Sequence, residues 1–194
     1  MARTQAADYD KKREAITRHA AKLFARSGFA GASVSDLAAV CDVSKSLIYH
    51  YYPSKESILF DVMNEHMEAL LAAVAETDSA AAPDAALRDF SRALLQVYVD
   101  AADQQKVLLY ELDSLPKEQR AEIVGKERRL IEQVEAILMR AAPALKADKP
   151  LLRARTMLFF GMLNWTHSWF KASGPISREK LADLASSAAL KSLA

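Results

Sequence analysis

The sequence predicts an all-α chain of about nine helices, a small three-helix head joined through a long helix to a larger helical body. Three observations lead there. Only 5 of the 194 residues are glycine and 6 are proline, while the strong helix formers Ala, Leu, Glu, Lys and Arg are abundant. Apolar residues recur at three- and four-residue spacing through most of the chain. No run alternates apolar and polar residues between hairpin turns, as a half-buried strand would. With 51% apolar and 26% charged residues the chain can fill a core of ordinary size.

The first helix covers residues 8–27 and buries Ile16, Ala20, Leu23 and Phe24, and Gly28 stops it. A short second helix follows Ser33, whose hydroxyl caps it. Asp36, three residues on, completes a capping-box-like arrangement and suits the positive helix end. This helix ends near Cys41. A third starts at Ser44, another cap residue, and ends near Tyr51. Pro53 and Ser54 break the chain and cap a long fourth helix that reaches residue 76. Residues 77–83 form a small-residue linker. Helices over 84–102, 104–113, 116–142, 150–172 and 177–193 follow, bounded by Pro83-Asp84, Ser114 with Pro116, Pro143, Pro150, and the Gly174-Pro175 turn capped by Ser177. The domain boundary falls at the start of the long helix, giving domains 1–53 and 54–194.

A net charge of +1 conceals an asymmetry. Residues 1–55 carry nine Lys/Arg against five Asp/Glu, a net +4, which leaves −3 for the remainder. A basic first quarter on a mildly acidic body points the N-terminal part at a polyanion. The one cysteine, Cys41, excludes an internal disulfide and fits a reducing cytoplasm. Residues 1–30 are charged and amphipathic, unlike a signal peptide. The most apolar stretch, residues 157–170, is shorter than the ~20 residues of a spanning helix, and Asn164 and His167 interrupt it. A cytoplasmic protein with no membrane partner is expected. His19, His50, His66 and His167 lie far apart without metal-ligand spacing, and no P-loop, dinucleotide fingerprint or nucleophile elbow is present. No metal, cofactor or enzymatic activity is therefore expected. Glu127, Glu132 and Glu135 fit the solvated face of a long helix.

Residues 33–52 hold the most informative pattern. Two helices of two turns each, joined by Cys41-Asp42-Val43, must cross steeply to share a core of Leu37, Ala38, Val43, Leu47 and Ile48. Ala38 and Ala39 are small enough to let them approach. The second helix, opened by Ser44, keeps an outer face of Lys45, Ser46, Tyr49, His50 and Tyr51. That composition suits a helix entering a major groove, where phenol, imidazole and ammonium groups meet base edges and phosphates. Lys45 is placed for a base edge with Ser46 beside it, whereas Tyr49 and Lys55 are placed for phosphates. The helix N-terminus capped by Ser33 and Ser35 adds backbone N–H donors for another phosphate. One short helix contacts few base pairs, so two heads about one helical turn (~34 Å) apart on a palindromic duplex, hence a homodimer, are expected. The last helix carries Leu181, Leu184, Ala185, Ala188 and Ala189 on one face, which with the helix before it would form a four-helix dimer seam. The alternative is that this face packs within its own subunit.

These residues carry a resemblance to the TetR family of bacterial regulators. The matching positions are Ala25-Arg26-Ser27-Gly28, Gly31-Ala32-Ser33-Val34-Ser35-Asp36-Leu37-Ala38, Val43-Ser44-Lys45-Ser46-Leu47-Ile48-Tyr49-His50-Tyr51-Tyr52 and Lys55-Glu56-Ser57-Ile58-Leu59. They cover nearly all of residues 11–60 in order. Ser33 stands where the family usually has threonine, and Ser46 and Ile48 replace a common small residue and leucine. The resemblance implies a helix-turn-helix DNA-binding head on a ligand-binding and dimerisation body, acting as a repressor released by a small molecule.

In the body, the Gly161 interior to a helix and the Asn164 among apolar neighbours suggest close packing or space for a ligand. Gly161-Met162-Leu163-Asn164-Trp165 with Trp169-Phe170 and Gly174-Pro175 is similar to the subset of these regulators that sense acyl-CoA thioesters. Ligand contacts are accordingly expected from Tyr98, Tyr110, Met139, Phe160, Asn164, Trp165 and Trp169. Arg140, Lys146, Lys149, Arg153 and Arg155 are either a site for CoA phosphates or a solvated basic cluster. Two other readings stand beside this one: a regulator of efflux that senses broad hydrophobic drugs, and a helical small-molecule carrier or enzyme.

Overall fold

A computed structural model describes residues 2–78 and 80–191, with side chains from Tyr9 onward. Ser79 of the expected linker and residues 192 and 193 of the expected last helix lie outside the described residues. Within them the chain is helical throughout: α1 (Ala2–Gly31), α2 (Val34–Val40), α3 (Lys45–Tyr51), α4 (Lys55–Ala75), α5 (Pro83–Asp100), α6 (Ala102–Glu111), α7 (Lys117–Ala141), α8 (Lys149–Asn164) and α9 (Arg178–Lys191). Three 3-10 turns, Leu112–Ser114, Pro143–Lys146 and Trp165–Ser168, follow α6, α7 and α8. None of these helices is long and apolar enough to cross a membrane.

The helix boundaries of the head follow from side chains that satisfy end groups of the backbone. Ser33 Oγ accepts from Asp36 N at 3.1 Å while the Asp36 carboxylate accepts from Ser33 N at 2.9 Å, a complete capping box. These bonds hold the Asp36 carboxyl below its ordinary range. Ser44 Oγ accepts from Leu47 N at 3.1 Å and opens α3, and Ser54 and Ser57 exchange a similar pair at the start of α4. Gly28 has φ +72°, so α1 kinks there after its regular run. α1 begins at Ala2 and not at residue 8, because apolar periodicity marks the packed part of a helix and not the Ala-rich turns before it. Between α2 and α3 the chain turns through Asp42 at φ +52°, a conformation Asp tolerates, and Val43 N donates to Ala38 O at 3.0 Å.

The chain divides into two compact units, with the divisions falling inside α4, at the first residue of α6 and inside α7. The first comprises the chain up to His66 together with Asp103–Ile123. Its core holds Phe24, Leu37, Ile48, Ile58, Leu59 and Met63, all fully buried. Ile16, Ala20, Leu23 and Ala38 are buried with them, whereas Val43 and Leu47 are only half-buried. His66 is buried and its Nε2 donates to Gln105 Oε1 at 2.7 Å, with burial lowering the imidazole pKa.

The second unit comprises Met67–Ala102 and the chain from Val124 on. Met67, Leu70, Leu87, Phe90, Leu94, Val134, Phe159 and Leu163 fill it, and α9 packs against α5 and α8. The expected helix over 150–172 ends at Asn164 instead. Thr166 Oγ1 donates to Leu163 O at 2.6 Å and Ser168 Oγ to Trp165 O at 2.7 Å. His167 Nδ1 lies 2.6 Å from Asn164 O. Three consecutive polar side chains thus compete for the carbonyls of the last turn, and the helix tightens into a 3-10 turn.

Candidate nucleic-acid interface and effector region

α3 lies on the surface with one side buried. Ile48 is fully buried and Leu47 half-buried, while Lys45, Ser46, Tyr49 and His50 are exposed. Lys45 Nζ lies over the Tyr49 ring at 5.9 Å from its centroid, and Tyr49 is 47% exposed. Tyr51 is half-buried. Ser33, Ser35 and Ser44 are exposed, with the Ser33 and Ser44 hydroxyls engaged as caps. An α3 surface with an exposed ammonium, phenol and imidazole, and the half-buried Tyr51 beside them, can donate to phosphate oxygens and to base edges in one groove.

Lys55 is used differently from the expected phosphate contact. Its Nζ donates to Phe29 O at 2.8 Å and to Ala32 O at 2.9 Å, and it lies 4.1 Å from the Phe29 ring centroid. The ammonium closes the carbonyls after the kink in α1, so its first role is to hold the head together.

A second polar cluster lay beyond sequence reasoning. Arg13 Nε of α1 donates to the Tyr52 hydroxyl at 3.3 Å, and the same guanidinium pairs with Asp61 of α4. Tyr52 terminates α3 and is 2% exposed, so the phenol needs a buried partner, and burial raises its pKa.

The residues expected to line a ligand pocket fall in both units and take different places within them. Tyr98 is buried and its hydroxyl donates to Asn164 Oδ1 at 2.8 Å, a pair that fixes the end of α8. Phe160 is core, in edge-on contact with Phe90 and Phe159. Tyr110 belongs to the first unit, is 58% exposed, and borders a small cleft of about 200 Å³ with Phe24, Lys106 and Glu111. Met139 is half-buried. Of the basic cluster, Arg140 donates to the Ala80 and Ala81 carbonyls and Arg153 pairs with Glu135 at 3.3 Å.

Trp165 and Trp169 stand elsewhere, on an open apolar groove. With Leu158, Gly161 and Met162 of α8 and Leu184 and Ala188 of α9 they line about 1010 Å³. Leu158 is 71% and Trp165 62% exposed. Leu158 and Met162 therefore mark the outer face of α8, and the inner one is Phe159, Phe160 and Leu163. The α9 face splits likewise: Leu181, Ala185 and Ala189 are buried, Leu184 and Ala188 exposed. A Cβ on Gly161 would meet nothing within 4 Å, so that glycine answers to no neighbour inside its own chain. A separate cleft of about 580 Å³ in the same unit has Val74, Phe90 and Ile137 in its wall and Arg129, Glu132 and Arg140 beside them.

Residues 16–62 match the bacterial regulatory proteins of the tetR family, and residues 80–193 match the tetracyclin repressor-like C-terminal domain. The chain belongs to the TetR family. A TetR-family transcriptional regulator from Bordetella parapertussis 12822 is 35% identical, over 91% of this chain and 93% of that one, with a TM-score of 0.84. AibR, in a complex with isovaleryl coenzyme A and operator DNA, is 27% identical over 91% of this chain and 97% of its own, with a TM-score of 0.76. The HTH-type transcriptional regulator RutR of Escherichia coli K12 is 27% identical over 127 residues, 66% of this chain. The match spans 60% of the length of that curated relative. As a TetR protein the chain is a DNA-binding transcriptional regulator, and the helix-turn-helix that the family places at the N-terminus is α2 and α3.

Proposed function

We propose that this TetR protein is a homodimeric repressor that leaves a palindromic operator when a small molecule, an acyl-CoA thioester, binds its body. Residues 1–53 are the reader and residues 54–194 the sensing and dimerising part, acting in the cytoplasm. The observation that carries the reading of DNA is the exposed outer face of α3, with Lys45, Ser46, Tyr49 and His50 all directed away from the core. Tyr51, the cap residues Ser33 and Ser44, and the exposed Ser35 in the first turn of α2 complete the surface. Lys45→Ala is expected to relax sequence preference at one base-pair position, at a cost of about 1–3 kcal/mol against the preferred duplex. Across a salt series, log K should fall linearly with log salt for the unaltered chain. Unchanged preference in Lys45→Ala would remove that residue from the reading surface.

The homodimer is supported by the apolar α8–α9 groove, larger than a single exposed side chain would explain. The acyl-CoA effector is supported by the likeness to AibR and by the cleft over Phe90 and Ile137, where an apolar wall stands beside Arg129 and Arg140. Such a cleft falls in the usual size range for small ligands. Effector binding works by population: to turn a 1:99 balance into 99:1 the ligand must prefer the released state about 10⁴-fold. Titration of isovaleryl-CoA and longer thioesters into a protein–operator mixture tests this. Release by thioester but not by free CoA is expected, and retention on DNA with every thioester would exclude that effector class. Release by unrelated hydrophobic drugs would favour the efflux reading instead.

A further inference from the structure

We infer that Tyr9, near the start of α1, belongs to the DNA-reading surface as the positioning residue for His50 and Tyr51. The inference rests on α3 being the reading helix. Tyr9 lies far from α3 in sequence, yet its ring centroid stands 4.6 Å from that of Tyr51, tilted by 36°. The same ring meets His50 edge-on at 6.4 Å and 77°, and His50 meets Tyr51 edge-on at 5.3 Å and 86°. Three rings from two helices thus form one closed cluster.

Its place in the fold separates this cluster from ordinary core. Tyr9 is 40% exposed and His50 is exposed, whereas the core of this unit is built from Phe24, Leu37, Ile48 and Ile58. Tyr9 is therefore not needed to fill the interior. What it does is restrict the two side chains at the C-terminal end of α3. An exposed aromatic side chain loses rotamer freedom when it docks against a base or phosphate, and a ring already held in place loses less. The face of Tyr51 against Tyr9 is closed to any ligand, and the free edge of His50 is aimed by contacts on two sides. Tyr9 acts through those two residues.

The consequence is selective. A residue that only holds the head together alters binding to every duplex in proportion to the folded fraction. A residue that aims His50 and Tyr51 alters the difference between the preferred duplex and a random one. Ring pairs of this kind correspond to roughly two- to ten-fold in an equilibrium constant.

The test uses the full chain and a duplex selected by that chain from a randomised pool, with a scrambled duplex of the same composition. Tyr9→Ala is expected to weaken binding to the selected duplex by roughly two- to ten-fold while leaving the scrambled duplex and the salt slope unchanged. Tyr9→Phe, which keeps the ring, should restore the unaltered preference. Thermal melting of both variants controls for stability. Equal losses on both duplexes, or no loss on either, would overturn the role of Tyr9. Lys45→Ala separates this from failure of the underlying reading. If Lys45→Ala relaxes preference and Tyr9→Ala does not, only the inference about Tyr9 fails. If neither does, the reading of DNA through Lys45 and its neighbours on α3 fails as well.

Discussion

A Leu158→Asp variant is expected to run as a monomer and to lose binding to the operator, with its helical signal retained. Leu158 is 71% exposed in the isolated chain and lines the apolar groove with Met162 of α8 and Trp165 of the turn after it. No core residue is altered, so the second unit should keep its packing around Phe90, Phe159 and Leu163. In a two-fold interface every substitution occurs twice, each copy facing the partner's equivalent surface. Each lost leucine removes about 1.5–3 kcal/mol of apolar burial, and each carboxylate adds the cost of a charge placed against apolar groups. Together these exceed about 5 kcal/mol, close to four orders of magnitude in the dimer dissociation constant. Sedimentation at micromolar concentration reads the result directly. Tyr110→Asp is the control, since Tyr110 is also well exposed but lies in the other unit. A Leu158→Asp chain that still sediments as a dimer would place the subunit interface elsewhere. Monomers that bind the operator as tightly as before would remove dimerisation from the mechanism.

The same groove shows where sequence reasoning reaches its end. α8 is apolar on both sides, with Phe159, Phe160 and Leu163 inward and Leu158 and Met162 outward, followed by exposed Trp165 in the next turn. Periodicity can report that a helix has two apolar stripes, but nothing in the spacing says which one meets the subunit's own core. The head was more legible because its signals are local. Ser33 with Asp36, Ser44 and Ser54 act on backbone groups three residues away, so each cap could be read where it stands. Lys55 marks the limit of such reasoning. Its spacing from α3 suggests a phosphate, but its ammonium is taken by carbonyls 26 and 23 residues earlier, at Phe29 and Ala32. The Tyr98–Asn164 pair marks the same limit. Tyr98 and Asn164 satisfy one another across 66 residues, so a polar group among apolar neighbours already had its partner within the fold.

Arg13→Ala is expected to destabilise the first unit by about 2 kcal/mol, an effect that sequence separation alone concealed. Arg13 bridges α1 to both the end of α3 and the middle of α4, through Tyr52 and through Asp61, which lies 48 residues away. The Asp61 side chain is only 11% exposed, so removal of the guanidinium leaves a carboxylate with most of its hydration already lost. Breaking a fully buried pair in this way costs about 3–5 kcal/mol. Arg13 is nearly half exposed, so water replaces part of the lost interaction and the figure falls to the lower value stated. Tyr52→Phe, which keeps the ring under the guanidinium and removes only the hydroxyl, should cost about 1 kcal/mol. The decisive comparison is Asp61→Ala alone and combined with Arg13→Ala. If the two charges stabilise one another, the double variant is less destabilised than the two single losses added together, by about 1–2 kcal/mol. Losses that simply add would mean that Arg13 acts by packing its aliphatic stem on Tyr52, not by its charge. Operator affinity adds a further reading of the same variants. Because Tyr52 ends α3, a loosened Arg13–Tyr52 contact should weaken the preferred duplex more than the loss in folded protein accounts for.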